Sequence, residues 1–174
     1  QGGAGPLRLF KGFLSEGGIR TPLIVSGRGV DGSGRISSAF THIMDIPATI
    51  LNAAGVTHPE TYNGNRIAPL QGKSLSPILD NSRGAVRGPS DWLGWELFGN
   101  RAIRQDNWKL LWICARYGAS NWHLYDLNVD PGETNDLAST QPQVRDRLVK
   151  HWSEYVEANN VILPSTSPVC ATVN

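Results

Sequence analysis

Lys11 is the side chain whose neighbours make it the strongest candidate for chemistry in this sequence. It precedes Gly12 and stands shortly before the run Glu16-Gly17-Gly18, which predicts a tight backbone passage. A lysine ammonium is a compact point charge that suits an anionic oxygen group such as sulfate or phosphate. The spacing by itself favours a simpler interpretation, in which Lys11 is a solvated surface lysine beside an ordinary turn.

The residues that follow Lys11 are predicted to be structural rather than catalytic. Gly17 and Gly18 let the backbone turn and pass close to a site. Glu16 is expected to hold the loop in place by accepting hydrogen bonds from backbone N–H groups. A structural role is therefore expected for these three residues, and none of them is assigned to catalysis.

The elements that would position Lys11 follow from hydrophobic patterning. Residues 19–25 are apolar and β-branched, which predicts a buried strand directly after the loop, and residues 35–40 predict a second short strand. A helix is expected from near Asp45, with Pro47 in its first turn, to Gly55. A strand followed by a helix is an α/β unit. The short apolar strand is expected to lie inside a larger sheet, most of which is outside this chain.

The second half of the chain reads as a small antiparallel sheet. Residues 105–107 separate two of its strands as a hairpin turn would. Both faces of the third strand are apolar after Lys109, so a helix should cover one of them. The predicted strands are Trp95–Phe98, Arg101–Arg104, Trp108–Cys114 and Trp122–Leu127.

The covering helix is expected close to the end of the chain. Thr140 and Gln143 have the spacing of a capping box, and Pro142 lies in the first turn. Apolar side chains then recur at helical spacing. They are Val144, Leu148, Trp152, Tyr155 and Val156.

These patterns divide the chain into three parts. Residues 1–91 are predicted to be the last elements of a large α/β domain, with one helical turn starting at Ser76-Pro77. Residues 92–164 are predicted to form the small domain of antiparallel strands and one helix. Residues 165–174 are expected to be a loose tail.

Composition narrows the possible partners. The formal net charge of the 174 residues is +1, and the basic residues are scattered, so neither nucleic acid nor a membrane surface is a predicted partner. No apolar stretch approaches transmembrane length. The start at Gln1 lacks both an initiating Met and the pattern of a signal peptide, so the chain is expected to begin internally. The compartment stays open between cytoplasmic, periplasmic and secreted.

Cysteine and histidine usage indicates no metal site. Cys114 and Cys170 fit either one bridge between the sheet and the tail or two unpaired thiols, with Cys114 buried as a small hydrophobe. The spacing of the four histidines suggests no metal site. His42, just before the predicted helix, could approach a pocket, although a capping or packing role is commoner. Trp95 could line a substrate rim.

Five segments resemble the sulfatases of the alkaline-phosphatase-like superfamily. The pattern Lys-Gly-x-x-x-Glu-Gly-Gly-Ile-Arg-x-Pro, from Lys11 to Pro22, is similar to their late active-site segment. Trp95-Glu-Leu-Phe-Gly99 narrows the resemblance toward the bacterial-type arylsulfatases. The resemblance covers nearly the whole chain but only the carboxy-terminal part of a sulfatase. The remaining matching segments are Met44–Gly55, Ala102–Lys109 and Leu124–Ala138.

The resemblance implies a fold, a reaction and roles for three residues. The fold would be a fragment of an alkaline-phosphatase-like α/β sheet domain followed by a small α+β domain. The reaction would be hydrolysis of an aryl or sugar sulfate ester to alcohol and sulfate. Lys11 would contact a sulfate oxygen and the ester oxygen of the leaving group, while Trp95 and His42 are weaker candidates for substrate binding.

The resemblance also implies parts that this sequence does not contain. The family's nucleophile is a formylglycine made within Cys/Ser-x-Pro-x-Arg, and no such segment occurs here. The calcium ligands and the acid–base histidines are expected upstream, so the partners are a small-molecule sulfate ester and the rest of the sulfatase polypeptide. A phosphodiesterase or phosphonate hydrolase of the same superfamily is one alternative. A non-catalytic sulfatase-like binding subunit is the other.

We therefore expect that the 174-residue chain alone does not hydrolyse aryl sulfates, because it has no formylglycine segment. The measurement is release of nitrophenol from nitrophenyl sulfate by the purified chain, with and without calcium. Calcium-dependent turnover by the chain alone would contradict this expectation.

Overall fold

A computed structural model describes most of the chain. The described residues are 5–31, 34–81, 84–115 and 117–164. Cys170, and with it the alternative of a bridge to Cys114, lies outside them. Cys114 itself is buried, with 3% of its surface exposed.

The described residues form ten helices and strands. The helices are α1 (Glu16–Ile19), α2 (Asp45–Ala53), α3 (Ser76–Leu79) and α4 (Pro142–Asn159). The strands are β1 (Thr61–Tyr62), β2 (Asn65–Arg66), β3 (Trp92–Leu97), β4 (Asn100–Gln105), β5 (Trp108–Trp112) and β6 (Trp122–Asp126). Among these elements, no helix is both long and apolar enough to cross a membrane.

The chain divides into two compact units. Among the described residues, one unit lies within residues 23–89, and the other combines residues 5–22 with those described between 90 and 164. The break between residues 89 and 90 lies next to the boundary that the sequence predicts at residue 91. The segment with Lys11, however, lies with the later sheet, because Phe13 and Leu14 are buried in the same apolar cluster as that sheet.

The second unit is built on the predicted antiparallel sheet. Its four strands pair in chain order, β3-β4-β5-β6, and every pair is antiparallel. The turn between β4 and β5 places Asp106 at a φ of 54°, in the left-handed region that a tight hairpin requires. This observation confirms the prediction of a small α+β domain with one carboxy-terminal helix.

One face of this sheet packs against α4. Ile103, Leu110 and Leu124 stand opposite one another on adjacent strands and are fully buried. Leu148 and Trp152 of α4 pack against them. The apolar spacing of α4 therefore predicts the buried face of the helix correctly.

The opposite face packs against the N-terminal segment. Ala102 and Leu111 form a buried cluster with Phe13 and Leu14, and Tyr125 belongs to the same cluster. Both faces of the sheet are thus covered, as the apolar residues on both sides of β5 require. The sequence did not predict that residues 5–22 supply this second cover.

The predicted capping box of α4 is wrong. Gln141 is the N-cap residue, and its side chain makes no capping hydrogen bond. The Thr140 hydroxyl instead donates to the Leu137 carbonyl oxygen at 3.2 Å, inside the turn that precedes the helix. That turn uses the hydroxyl group that a capping box would need.

The first unit agrees with the sequence in its helices but not in its strands. The helices α2 and α3 form where they are predicted. Residues 19–25 and residues 35–40 form no strand, and Ile24 is 92% exposed. A strand needs a neighbour to pair its N–H and C=O groups, and no described segment pairs with either run.

The two-stranded hairpin of β1 and β2 was missed by the sequence reasoning. Asn63 and Gly64 connect the strands with φ angles of 48° and 79°. Both angles lie in the left-handed region, which an Asn-Gly pair adopts at low cost in two-residue hairpins. The dipeptide was therefore a usable signal.

Candidate functional site

Residues 8–18 close on themselves to form what we call the Lys11 loop. The carbonyl oxygen of Arg8 accepts two hydrogen bonds from the other end of the loop. The Gly17 N–H donates at 3.0 Å and the Ser15 hydroxyl at 2.7 Å. The base of the loop is therefore fixed by backbone contacts, with Lys11 between its ends.

Close packing at this base explains the two adjacent glycines. A Cβ on Gly17 would lie 2.3 Å from the Arg8 carbonyl oxygen, and one on Gly18 would lie 2.1 Å from that of Phe13. No side chain fits at such distances without moving the backbone. The expectation that these glycines allow a close backbone passage agrees with this geometry.

Apolar and polar contacts attach the Lys11 loop to the sheet. Phe13 and Leu14 are 4% and 3% exposed, and Arg8 donates from Nη1 to the Tyr125 hydroxyl at 3.0 Å. The Phe10 ring meets the Phe13 ring edge to face, with 5.3 Å between their centroids. Lys11 itself is exposed, so the loop holds a lysine at the surface on a buried base.

A buried ion cluster lies under the loop, and we call it the Lys109 cluster. The Lys109 Nζ lies 2.8 Å from Glu16 Oε1 and 2.8 Å from Glu133 Oε1. Glu133 Oε2 accepts a hydrogen bond of 2.9 Å from the Glu16 backbone N–H. All three side chains are at least 97% buried. The cluster therefore connects β5, the turn after β6 and the base of the Lys11 loop.

The charges of this cluster do not cancel when all three groups are ionised. One ammonium and two carboxylates leave a net charge of −1 in a buried site. Burial raises the pKa of Glu133 above its ordinary value, although Lys109 opposes the rise. The nearby Arg104 guanidinium and the Tyr125 hydroxyl add to the polar surroundings of the cluster.

Sequence reasoning missed Lys109 and Glu133 and assigned Glu16 only in outline. Lys109 was considered as the residue after which both faces of the strand become apolar, and Glu133 was considered as part of the matching segment Leu124–Ala138. Glu16 does hold the loop, but through its carboxylate to Lys109, and its own N–H is bound by Glu133. A lysine between buried strand positions was the available signal, because a buried ammonium needs carboxylate partners.

Trp95 lies in the same unit as Lys11. It is half-buried and packs against the apolar cluster that also holds Phe13 and Leu14. The neighbouring Glu96 accepts a hydrogen bond of 2.8 Å from the Gly99 N–H through Oε1, which fixes the β3–β4 turn. Substrate contact by Trp95 stays a prediction.

The other tryptophans of the sheet have packing roles. Trp92, Trp108 and Trp122 lie against the α4 side of the sheet. The Arg101 guanidinium lies 4.4 Å from the centre of the Trp112 ring, in cation–π geometry. These contacts are structural in all four cases.

His42 lies in the other unit, at the N-terminus of α2. Its backbone N–H donates to Asp45 Oδ2 at 2.7 Å, and Arg87 binds both oxygens of the same carboxylate at 2.6 Å. The pKa of His42 is lowered because the effect of burial is larger than the opposing effect of the Asp45 carboxylate. These contacts attach the segment before α2 to the first turn of the helix, and substrate contact by His42 stays a prediction.

The acidic turn after β6 does not fit a calcium site. Asp130 accepts from the Thr134 and Asn135 N–H groups, and Asp126 accepts from the Asn107 amide. Glu133 is bound to Lys109. Within the described ranges, no three His, Cys, Asp or Glu side chains come together as a metal site. The calcium that the resemblance implies therefore has no site among these residues.

The chain belongs to the sulfatase family. Residues 5–160 match the family described as N-sulphoglucosamine sulphohydrolase, C-terminal. An uncharacterized sulfatase of Schizosaccharomyces pombe is 37% identical over 163 residues, which are 93% of this chain and 29% of that protein. Arylsulfatase K of Bos taurus is 27% identical over 81% of this chain and 26% of its own length. The chain thus spans less than a third of the length of each of these two relatives.

Solved structures are similar to this chain over a comparable share of their own length. One is described as a complex with its substrate D-glucosamine-2-N,6-O-disulfate. It is 22% identical, has a TM-score of 0.47, and pairs 67% of this chain with 24% of its own. The recognition of a carboxy-terminal sulfatase segment is confirmed by the family match.

Titration of Glu133 gives a prediction about stability and pH. Its pKa in the folded chain is raised above the ordinary 4.5 by burial, so its stabilising contribution is complete below pH 4.5 and is lost as pH rises through the folded pKa. Relative to Glu133→Gln, the native chain should therefore become less stable as pH rises through this window. Urea unfolding at a series of pH values measures the difference.

Asp130→Asn is the matched control, because it should show the opposite trend. Burial raises the pKa of Asp130, but the hydrogen bonds from Asn135 and Thr134 together outweigh this effect and hold the pKa below 3.8. Its contribution is present above pH 3.8 and is lost as pH falls through the folded pKa. If the native chain gained stability relative to Glu133→Gln as pH rises, the assignment of the raised pKa would be wrong.

Proposed function

We propose that this chain is the carboxy-terminal part of a sulfuric ester hydrolase, in which Lys11 stabilises the departing oxygen of an aryl or sugar sulfate. The observation that carries the proposal is the exposed Lys11 on a loop with a buried, hydrogen-bonded base. The membership of the sulfatase family supports it. So does the similarity of residues 11–22 to the late active-site segment of sulfatases.

The physical reason for a lysine at this place is the charge that develops during the reaction. As the bond between sulfur and the ester oxygen breaks, negative charge grows on the departing oxygen. A cation fixed beside that oxygen stabilises the transition state more than the ground state and so raises kcat. A fixed loop matters because a group that is already in place needs no reorganisation during the reaction.

The remaining catalytic parts are proposed to come from the rest of the polypeptide. Formylglycine and calcium are general features of sulfatases, and the described residues hold no site for the metal. The contribution of this chain is the Lys11 cation and part of the pocket wall. Trp95, on the Lys11 side of the sheet, is proposed to line the rim for the leaving group, and His42 is a second proposed contact.

The proposed substrate class is a sulfated sugar or an aryl sulfate. The description of the matched family names an N-sulphoglucosamine sulphohydrolase, and the relative from Bos taurus is named an arylsulfatase. A lysine ammonium recognises sulfate oxygens and a departing alkoxide or phenoxide without selecting the carbon skeleton. We therefore propose that residues outside the Lys11 loop recognise the carbon skeleton of the substrate.

Lys11→Ala in the complete protein should lower kcat by about 10²- to 10³-fold, the range typical for loss of one group that stabilises developing charge. The loss should grow as the leaving group becomes more basic, because more charge then rests on the departing oxygen. Turnover of a series of substituted phenyl sulfates measures both effects. Lys150→Ala is the matched control, since the Lys150 side chain is 76% exposed on α4.

An unchanged kcat for Lys11→Ala would contradict the proposed role of Lys11. A loss that is the same for every leaving group would place the lysine on the sulfate oxygens alone.

A matched phosphodiester should be turned over more slowly than the sulfate ester by the native protein. If the phosphodiester were the better substrate, the alternative of a phosphoryl-transfer enzyme would replace the sulfatase.

A further inference from the structure

We propose that Lys109 is a positioning residue for catalysis, which acts through Lys11 and does not touch the substrate. This inference rests on the proposed function, because it assumes that Lys11 is the leaving-group cation. The Lys109 Nζ lies 2.8 Å from the carboxylate of Glu16, and Glu16 lies at the base of the Lys11 loop. The cluster thus links a buried strand to an exposed catalytic side chain.

The outer part of the loop does not itself fix the position of Lys11. This part, from Phe10 to Gly12, contains a left-handed glycine with a φ of 99° and makes no backbone pairing with a strand. The position of Lys11 therefore depends on the loop base. There, two hydrogen bonds reach the Arg8 carbonyl oxygen, and the residue between their donors, Glu16, is bound on both its N–H and its carboxylate.

Two contacts of Glu16 fix the loop base relative to the sheet. Glu16 is bound twice by groups that belong to the sheet and its following turn. Its carboxylate meets the Lys109 ammonium, and its N–H donates to Glu133 Oε2. Glu133 in turn lies 2.8 Å from the same ammonium. The three groups therefore form a closed set in which Lys109 fixes both contacts of Glu16.

A buried ion cluster of this kind is unnecessary for stability alone. Replacing a buried ion cluster by well-packed apolar residues is often neutral or stabilising. The apolar contacts of Phe13 and Leu14 already attach the segment to the sheet. Directional contacts to one carboxylate and one N–H instead determine where the loop base lies, which catalysis by a fixed cation requires.

The inference predicts a specific kinetic effect of Lys109→Met in the complete protein. The kcat should fall by about 10- to 100-fold, because small displacements of a catalytic group have effects of this size. KM should change much less, and the loss should grow with the basicity of the leaving group, as for Lys11→Ala. Substituted phenyl sulfates are the probe.

A double-mutant cycle separates positioning from a general structural effect. If Lys109 acts through Lys11, then Lys11→Ala/Lys109→Met should have the kcat of Lys11→Ala within about twofold. Two losses that multiply would overturn the inference while leaving the proposed function intact. If Lys11→Ala alone left kcat unchanged, the proposed function would fail, and this inference would fail with it.

Glu133→Gln provides a second variant in case Lys109→Met does not fold. It removes one buried negative charge and leaves the pair of Lys109 and Glu16 neutral, so we expect a folded protein. The amide NH2 group replaces one of the two carboxylate oxygens and cannot accept, so the variant cannot keep both the contact with the Lys109 ammonium and the hydrogen bond from the Glu16 N–H. Its kcat should fall several-fold in native Lys11 but not in Lys11→Ala, and a native kcat in this folded variant would overturn the inference.

Two controls test whether destabilisation alone could produce the same result. Ile103→Ala creates a cavity on the α4 face of the sheet, away from the Lys11 loop, and should leave kcat unchanged below its unfolding temperature. Lys150→Met removes an exposed lysine and should also leave kcat unchanged. A loss of kcat in Ile103→Ala equal to that in Lys109→Met would assign the effect to general destabilisation and would contradict the inference.

Discussion

The arrangement of the larger unit depends on one buried ammonium between two carboxylates. Lys109, the second residue of β5, has no exposed surface, and Glu16 and Glu133 contact it from two other parts of the chain. A buried charge without partners is costly, so removal of either carboxylate contact should destabilise this face. The constraint fixes residues from the start, the middle and the later part of the chain at one point.

The two faces of the four-stranded sheet differ in the kinds of contact that they make. The face toward α4 is apolar, with Ile103, Leu110 and Leu124 packed on Leu148 and Trp152. The other face combines apolar packing with the Lys109 cluster and carries the Lys11 loop. A stable support on one side and a directed set of contacts on the other together hold a lysine at the surface.

Sequence reasoning predicted those elements whose signals are local. The antiparallel strands and α4 follow from alternation and helical spacing, and Lys11 followed from a resemblance to sulfatases. The strand at residues 19–25 was wrong, because pairing depends on a neighbouring strand that no described segment supplies. Lys109 and Glu133 are 24 positions apart, and no local pattern shows that both would meet Glu16. Such contacts are set by the tertiary fold alone.

Hydrogen exchange of the Glu16 and Gly17 amides is the most direct test of the central claim that the Lys109 cluster fixes the Lys11 loop. Both N–H groups are donors at the loop base, to Glu133 and to the Arg8 carbonyl oxygen. The account predicts slow exchange of both in the native chain and much faster exchange in Lys109→Met, with the β4 and β5 amides still protected. Fast exchange of both amides in the native chain would contradict the account.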